Sequence, residues 1–116
     1  MAAGKRDIVV ELGATYTEEY TWLDNTGSAV DLTGASAAWM LRYHVDDSAA
    51  AVSLSTSSGG ITIVGATGKI TVSISATATA ALSSGFGVHD LLVTKADGTK
   101  VRLVEGKATL LQGVTR

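Results

Sequence analysis

Ala96-Asp97-Gly98-Thr99-Lys100-Val101-Arg102-Leu103-Val104-Glu105-Gly106 is a tight polar turn followed by a run that reads as a strand. Asp24-Asn25-Thr26-Gly27-Ser28-Ala29-Val30-Asp31-Leu32-Thr33-Gly34 has the same grammar nearer the start of the chain. Asp97-Gly98 is a strong hairpin signal, because two-residue turns need positive φ and glycine adopts it without steric cost. The flanking residues, Phe86 to Thr94 and Thr99 to Leu111, then become the two arms of a closing hairpin.

Working outward from these turns, the chain alternates. Asp7-Ile8-Val9-Val10-Glu11 reads as a short strand. Tyr16, Glu18, Tyr20 and Trp22 share one face of the next, with Thr15, Thr17, Glu19 and Thr21 on the other. That period of two is the strand signature. Ala29-Val30-Asp31 is expected to form a short edge strand, after which Leu32 plugs the core. Ala35, Ala37, Trp39, Leu41 and Tyr43 face one way, and Ser36, Ala38, Met40, Arg42 and His44 the other. Val52 and Leu54 mark a short strand. Ile61 and Ile63 turn at Gly65-Ala66-Thr67-Gly68 and return as Ile70, Val72 and Ile74. Ser75 is placed to cap a helical turn from Ala76 to Leu82 that ends by Gly85. About eight or nine strands at roughly 8–12-residue spacing predict an all-β antiparallel sandwich. Its core is expected to hold Trp39, Leu41, Ile63, Val72, Leu92 and Leu103.

The 116 residues predict one domain spanning 1–116, and 46% hydrophobic content with 17% charged residues supports a folded core. A net charge of −2 offers neither a basic footprint for nucleic acid nor a polybasic membrane patch. With no Cys there is no disulfide and no thiolate chemistry. Met1-Ala2-Ala3-Gly4-Lys5-Arg6 lacks an apolar segment, so no secretory signal is expected. No run of about 18 apolar residues is present to span a bilayer as a helix. Thirteen Gly and no Pro mean that the turns rely on Gly, Asp and Asn.

The residues that could carry chemistry do not assemble into a reactive set. His89 adjoins Asp90, but strand neighbours point to opposite faces, so His89 reads as a surface or interface histidine. His44, Asp46 and Asp47 are too few and of the wrong type for a structural zinc site. Asp24, Asn25 and Asp31 lack the alternating spacing of a calcium loop and read as turn residues. Gly59-Gly60 and Gly65-Ala66-Thr67-Gly68 lack the Lys-Ser/Thr pair and the long helix that phosphate and dinucleotide loops require. Tyr16, Tyr20 and Trp22 would make a glycan-stacking platform if they faced outward, but their alternation reads as a core face. The expectation is therefore no catalytic residue, no metal and no cofactor.

The turn, the "VDLTG" run and the closing hairpin "ADGTKVRLVEGKATL" resemble the immunoglobulin-like domains of tailed-phage virion structural proteins, such as the N-terminal domain of the siphophage upper baseplate protein. The resemblance spans roughly Asp7 to Leu111. It implies an immunoglobulin-like sandwich that works by assembly, in the virion after assembly in the host cytoplasm, with a major capsid or tail/baseplate protein as partner and in several copies. The baseplate relatives continue past this domain whereas the chain stops at Arg116, so a small capsid-decoration or tail component is expected. A host-surface or glycan-binding adhesin module is the alternative. Two interface candidates follow from the residues. Residues 1–10, with polar Lys5 and Arg6 ahead of Ile8, could form an N-terminal arm. The hairpin Ile61–Ser75 carries one charge, Lys69, and shows neutral Thr62, Val64, Thr71 and Ser73 outward, an unguarded edge suited to pairing with another subunit.

Overall fold

The computed structural model describes residues 4–24 and 26–113. Along the chain the elements are β1 (Gly4–Lys5), β2 (Ile8–Leu12), β3 (Tyr16–Thr21), β4 (Ser36–Arg42), β5 (Val52–Ser55), β6 (Ile61–Val64), β7 (Lys69–Ile74), α1 (Ala76–Ala80), β8 (Gly85–Thr94) and β9 (Lys100–Gln112), with a single 3-10 turn at Gly65–Thr67. One sheet runs β1-β9-β8-β4-β5 with β2 also on β9, and the other runs β3-β7-β6. The two sheets face each other across one core.

Alternation places the core. On the larger sheet Ala37, Trp39 and Leu41 of β4 turn inward beside Leu91 and Val93 of β8. On the smaller sheet Tyr20, Ile61, Ile70, Val72 and Ile74 meet them, and Leu32 and Trp22 close the ends. Of the expected core residues, Trp39, Leu41 and Val72 are fully buried. Ile63, Leu92 and Leu103 are only half-buried. The last two have separate reasons. Leu91 pairs with Val104 but Leu92 pairs with Arg102, so Leu103 is an extra residue in β9. Such a bulge reverses which side of the strand faces inward beyond it. Leu92 lies on the outer side of the sheet because β8 alternates without a break and its inner positions go to Leu91 and Val93.

The closing turn is one residue longer than Asp97-Gly98 suggests. The amide of Gly98 donates to the Lys95 carbonyl at 2.9 Å and that of Lys95 to the Thr99 carbonyl at 2.8 Å. Gly98 takes φ +91. This is a three-residue loop with glycine in the left-handed position. Ala29-Val30-Asp31 makes no strand, only a bridge between Leu23 and Ala29. The helical turn is real, with Ser75 as its cap: its hydroxyl accepts from the Ala78 amide at 3.2 Å. Buried Thr79 ties α1 to the β2–β3 corner, donating to the Ala14 carbonyl at 2.8 Å and accepting from the Gly13 amide at 3.1 Å.

The N-terminal segment is not a free arm. Over residues 4–10 it lies in the sheet, parallel to β9, pairing Gly4 with Val104 and Ile8 with Ala108. Ile8 and Val10 are buried because their alternation matches the inward face of β9. Met1–Ala3 lie outside the described residues. The otherwise antiparallel sandwich therefore pairs its first two strands, β1 and β2, parallel to its last, β9. With that feature, the chain is an immunoglobulin-like β-sandwich with one short helical turn.

Three exposed carboxylates hold the turns. Asp24 is held below its ordinary value by hydrogen bonds from the Thr26 hydroxyl first, then from the Thr26 and Ser28 amides. Asp31 is lowered by the Thr33 hydroxyl and then its amide. The Thr99 amide and then its hydroxyl lower Asp97. A depressed folded-state value means that the unfolded chain binds protons more readily, so stability rises with pH across this range. The contribution is present above the ordinary carboxylate value and is lost as pH falls through the folded values. Replacing Asp24, Asp31 and Asp97 with Asn keeps the acceptor oxygens but removes the titration. Between neutral pH and about pH 3, the urea midpoint of the wild type is expected to fall further than that of the triple variant. Equal falls would show that these turns carry none of the acid sensitivity.

Candidate functional site: the outer face of the six-stranded sheet

Two features stand out once the strands are in register: a buried polar junction at the first strand, and an apolar band on the sheet surface above it.

The junction centres on His89, which is 3% exposed, in contrast to the surface position that the sequence suggested. On β8 it shares a face with Leu91 and Val93, so the strand period turns it inward. Its Nδ1 accepts from the Trp39 indole N–H at 3.1 Å. Its Nε2 lies 2.6 Å from the Arg6 carbonyl oxygen. An imidazole that accepts at Nδ1 carries its proton at Nε2, which then donates to Arg6. Gly106, the residue of β9 opposite His89, makes the approach possible: a Cβ there would sit 2.0 Å from the Arg6 carbonyl oxygen. The break between β1 and β2 at Arg6-Asp7 thus points one carbonyl into the sheet. The Asp7 carboxylate fills the gap left in the ladder, accepting from the Lys107 amide at 3.0 Å.

Arg6 also reaches the other sheet. Its guanidinium pairs with Glu18 and lies 5.5 Å over the Tyr20 ring. Glu18, the odd acidic residue on an apolar face, is thereby matched. Burial, with Glu18 second, pushes the Tyr20 hydroxyl up to about 12. Burial likewise raises Tyr16. Its hydroxyl is the one buried side-chain polar atom among the described residues that lacks a partner. Tyr20 and Trp22 are buried and Tyr16 half-buried, so the aromatic residues of β3 and its end form no exposed stacking platform.

The outer face is read rung by rung. Phe86 of β8, Thr109 of β9 and Val9 of β2 form one rung. Next come Arg42, Val88 and Lys107, then Met40, Asp90, Glu105 and Lys5, then Ala38, Leu92 and Arg102. Among the described residues, six large hydrophobic side chains are conspicuously exposed, and four of them, Val9, Val45, Phe86 and Leu111, belong to this face or overhang it. Phe86 is 79% exposed and Val45 82%. Between Val45 and the strands lies an open groove of about 690 Å3 with Met40, Val88 and Leu92 on its floor. Charged residues line it as well, two pairs of them closed on themselves: Lys5 with Glu105 at 3.3 Å and Arg102 with Asp90 at 2.9 Å. Among the described residues no three His, Cys, Asp or Glu side chains converge in a way that could hold a metal ion.

The sequence-derived candidates fall in different places. Lys5 is exposed on this face, Arg6 bridges the two sheets, and Ile8 is core, where no partner reaches it. Thr62, Val64, Thr71 and Ser73 share the outer face of the smaller sheet, as their alternation implied. However, Thr71 and Ser73 sit on the central strand β7, hydrogen-bonded on both sides by β3 and β6, so they are not edge residues. The open edges of that sheet are β3 and β6. The apolar band escaped the sequence reading because Phe86, Val88 and Leu92 come from a strand apolar on both faces. Its only local signal was the run Leu91-Leu92-Val93, which gives no phase.

No protein-family model matches the chain, and no curated protein matches it. Among solved structures, it is similar to the crystal structure of CopC from Methylosinus trichosporium OB3b, at 15% identity and a TM-score of 0.46, over 99% of this chain and 90% of that one. It is also similar to murine CRIg, at 12% identity and a TM-score of 0.44, over 92% of each chain. At these identities the likeness concerns the arrangement of strands only.

Proposed function

We propose that this chain is a bacteriophage virion structural protein, an immunoglobulin-like module that docks onto the particle as capsid decoration or as a tail or baseplate component. The observation that carries the docking reading is the concentration of exposed apolar side chains on the outer face of the six-stranded sheet. Exposed apolar side chains gathered on one face, with charged residues among them, are characteristic of protein-binding faces. The virion placement rests on the resemblance of the turns and closing hairpin to tailed-phage domains.

Particles assembled with a Val9→Lys, Phe86→Lys variant test the reading. Both side chains already face solvent, so the fold should survive. Copy number per particle is expected to fall to about a tenth or less, the effect of losing anchor residues at an interface centre. A parallel Thr71→Lys, Ser73→Lys variant asks the same of the smaller sheet. Full occupancy for the first variant with loss for the second would move the contact to the β6–β7 hairpin, and full occupancy for both would sink docking through either sheet face.

A further inference from the structure

We propose that Arg42 and Lys107 form a clasp for an acidic, apolar segment of the partner protein. This rests on the docking reading above and specifies the chemistry of what docks. Arg42, Val88 and Lys107 are consecutive on one rung across β4, β8 and β9. With strands about 4.8 Å apart, the two cationic residues stand roughly 10 Å apart at their Cα atoms, flanking a valine. That is the width in which a carboxylate can meet both side chains.

The other cations of the groove are already matched, Lys5 by Glu105 and Arg102 by Asp90. Arg42 and Lys107 make no ion pair among the described residues. The Arg42 guanidinium is nevertheless held in place, with Nη1 donating to the Asp47 carbonyl at 2.8 Å and Nη2 against the Met40 sulfur at 3.5 Å. A guanidinium fixed in this way retains donors for a carboxylate and loses little freedom on binding it. The Asp7 carboxylate adjoins this rung, its Oδ1 accepting from the Lys107 amide at 3.0 Å. The groove has four cations, Lys5, Arg42, Arg102 and Lys107, against three anions, Asp7, Asp90 and Glu105, a surplus of 4 − 3 = +1 in a chain whose net charge is −2. The three carboxylates disfavour a polyanion such as nucleic acid, which draws affinity from many neutralised phosphates. One acidic side chain with apolar neighbours fits better. Its carboxylate meets Arg42 and Lys107, while flanking apolar groups lie on Phe86 and Val9 on one side and on Met40 and Leu92 on the other.

The test uses the full chain and a fluorescein-labelled peptide that alternates Glu with Leu and Phe, followed by anisotropy at low and high salt. The wild type is expected to bind this peptide at least about tenfold more tightly than its Lys-for-Glu counterpart, with affinity falling as salt rises. An Arg42→Gln, Lys107→Gln variant is expected to lose about tenfold or more. Lys69→Gln, on the other sheet, should lose nothing, and an unchanged denaturation midpoint will show that the Gln variant is folded. The clasp is overturned if wild type does not bind the peptide, if the Gln variant binds as well as wild type, or if single-stranded DNA of equal charge binds as tightly. On particles, a Gln variant at full occupancy beside a depleted Phe86→Lys variant overturns the clasp and leaves the docking face standing. Full occupancy for both overturns the two together.

Discussion

Trp39→Ala is expected to destabilise the domain by about 3–5 kcal/mol, the cost of deleting a large, fully buried aromatic side chain. The position has two separable parts. The ring fills the centre of the core, where Leu41, Leu91 and Val93 are also fully buried. The indole N–H satisfies His89 Nδ1 at 3.1 Å. Trp39→Phe keeps most of the packing and removes only the donor, leaving a buried acceptor unpaired, so it should cost roughly 1–3 kcal/mol. Urea denaturation of both variants gives the two parts separately. A cost below about 1 kcal/mol for the alanine variant would mean that the ring is not the centre of the core. A phenylalanine variant as stable as wild type would mean that the hydrogen bond to His89 adds nothing net.

Gly106→Ala is expected to cost about 2–5 kcal/mol, a large effect for one methyl group on a half-buried residue. Its Cβ would lie 2.0 Å from the Arg6 carbonyl oxygen and 2.5 Å from the carbonyl carbon, so backbone must move. Moving it breaks the bond to His89 Nε2 and strips a buried donor of its partner. It also pulls β1 away from β9, where the Arg6 amide donates to the Glu105 carbonyl at 2.9 Å. Amide hydrogen exchange supplies a local readout beside the denaturation midpoint. The Arg6 amide should exchange nearly as fast as a free amide in the variant, while the β4–β8 amides stay protected. A variant with protected Arg6 and wild-type stability would show that the junction tolerates a side chain and that the close approach is not needed.

Much of the sandwich was legible in the sequence because strand alternation is a local property. Ala37, Trp39 and Leu41 against Ala38, Met40 and Arg42, and Ile70, Val72 and Ile74 against Thr71 and Ser73, declare two faces without reference to anything distant. The Ser75 cap and the glycine turns are local in the same sense, since they depend on backbone groups two or three residues away. Where both phases of a strand are apolar, the sequence is silent. The phase of β8 was settled by packing across the core, which took Leu91 and Val93 inward and so placed Phe86, Val88 and Leu92 outside and His89 inside. The role of residues 4–10 was likewise open, because a polar start ahead of a short apolar run suits a free arm as well as a paired strand. Tertiary structure closed that choice through contacts between residues about a hundred positions apart. Arg6 meets Gly106 and His89, and Asp7 meets Lys107. Local sequence sets which side chains share a face. Which face is covered, and which edge finds a partner, follows from burying apolar surface and pairing backbone groups across the whole chain, and only the closed fold does that.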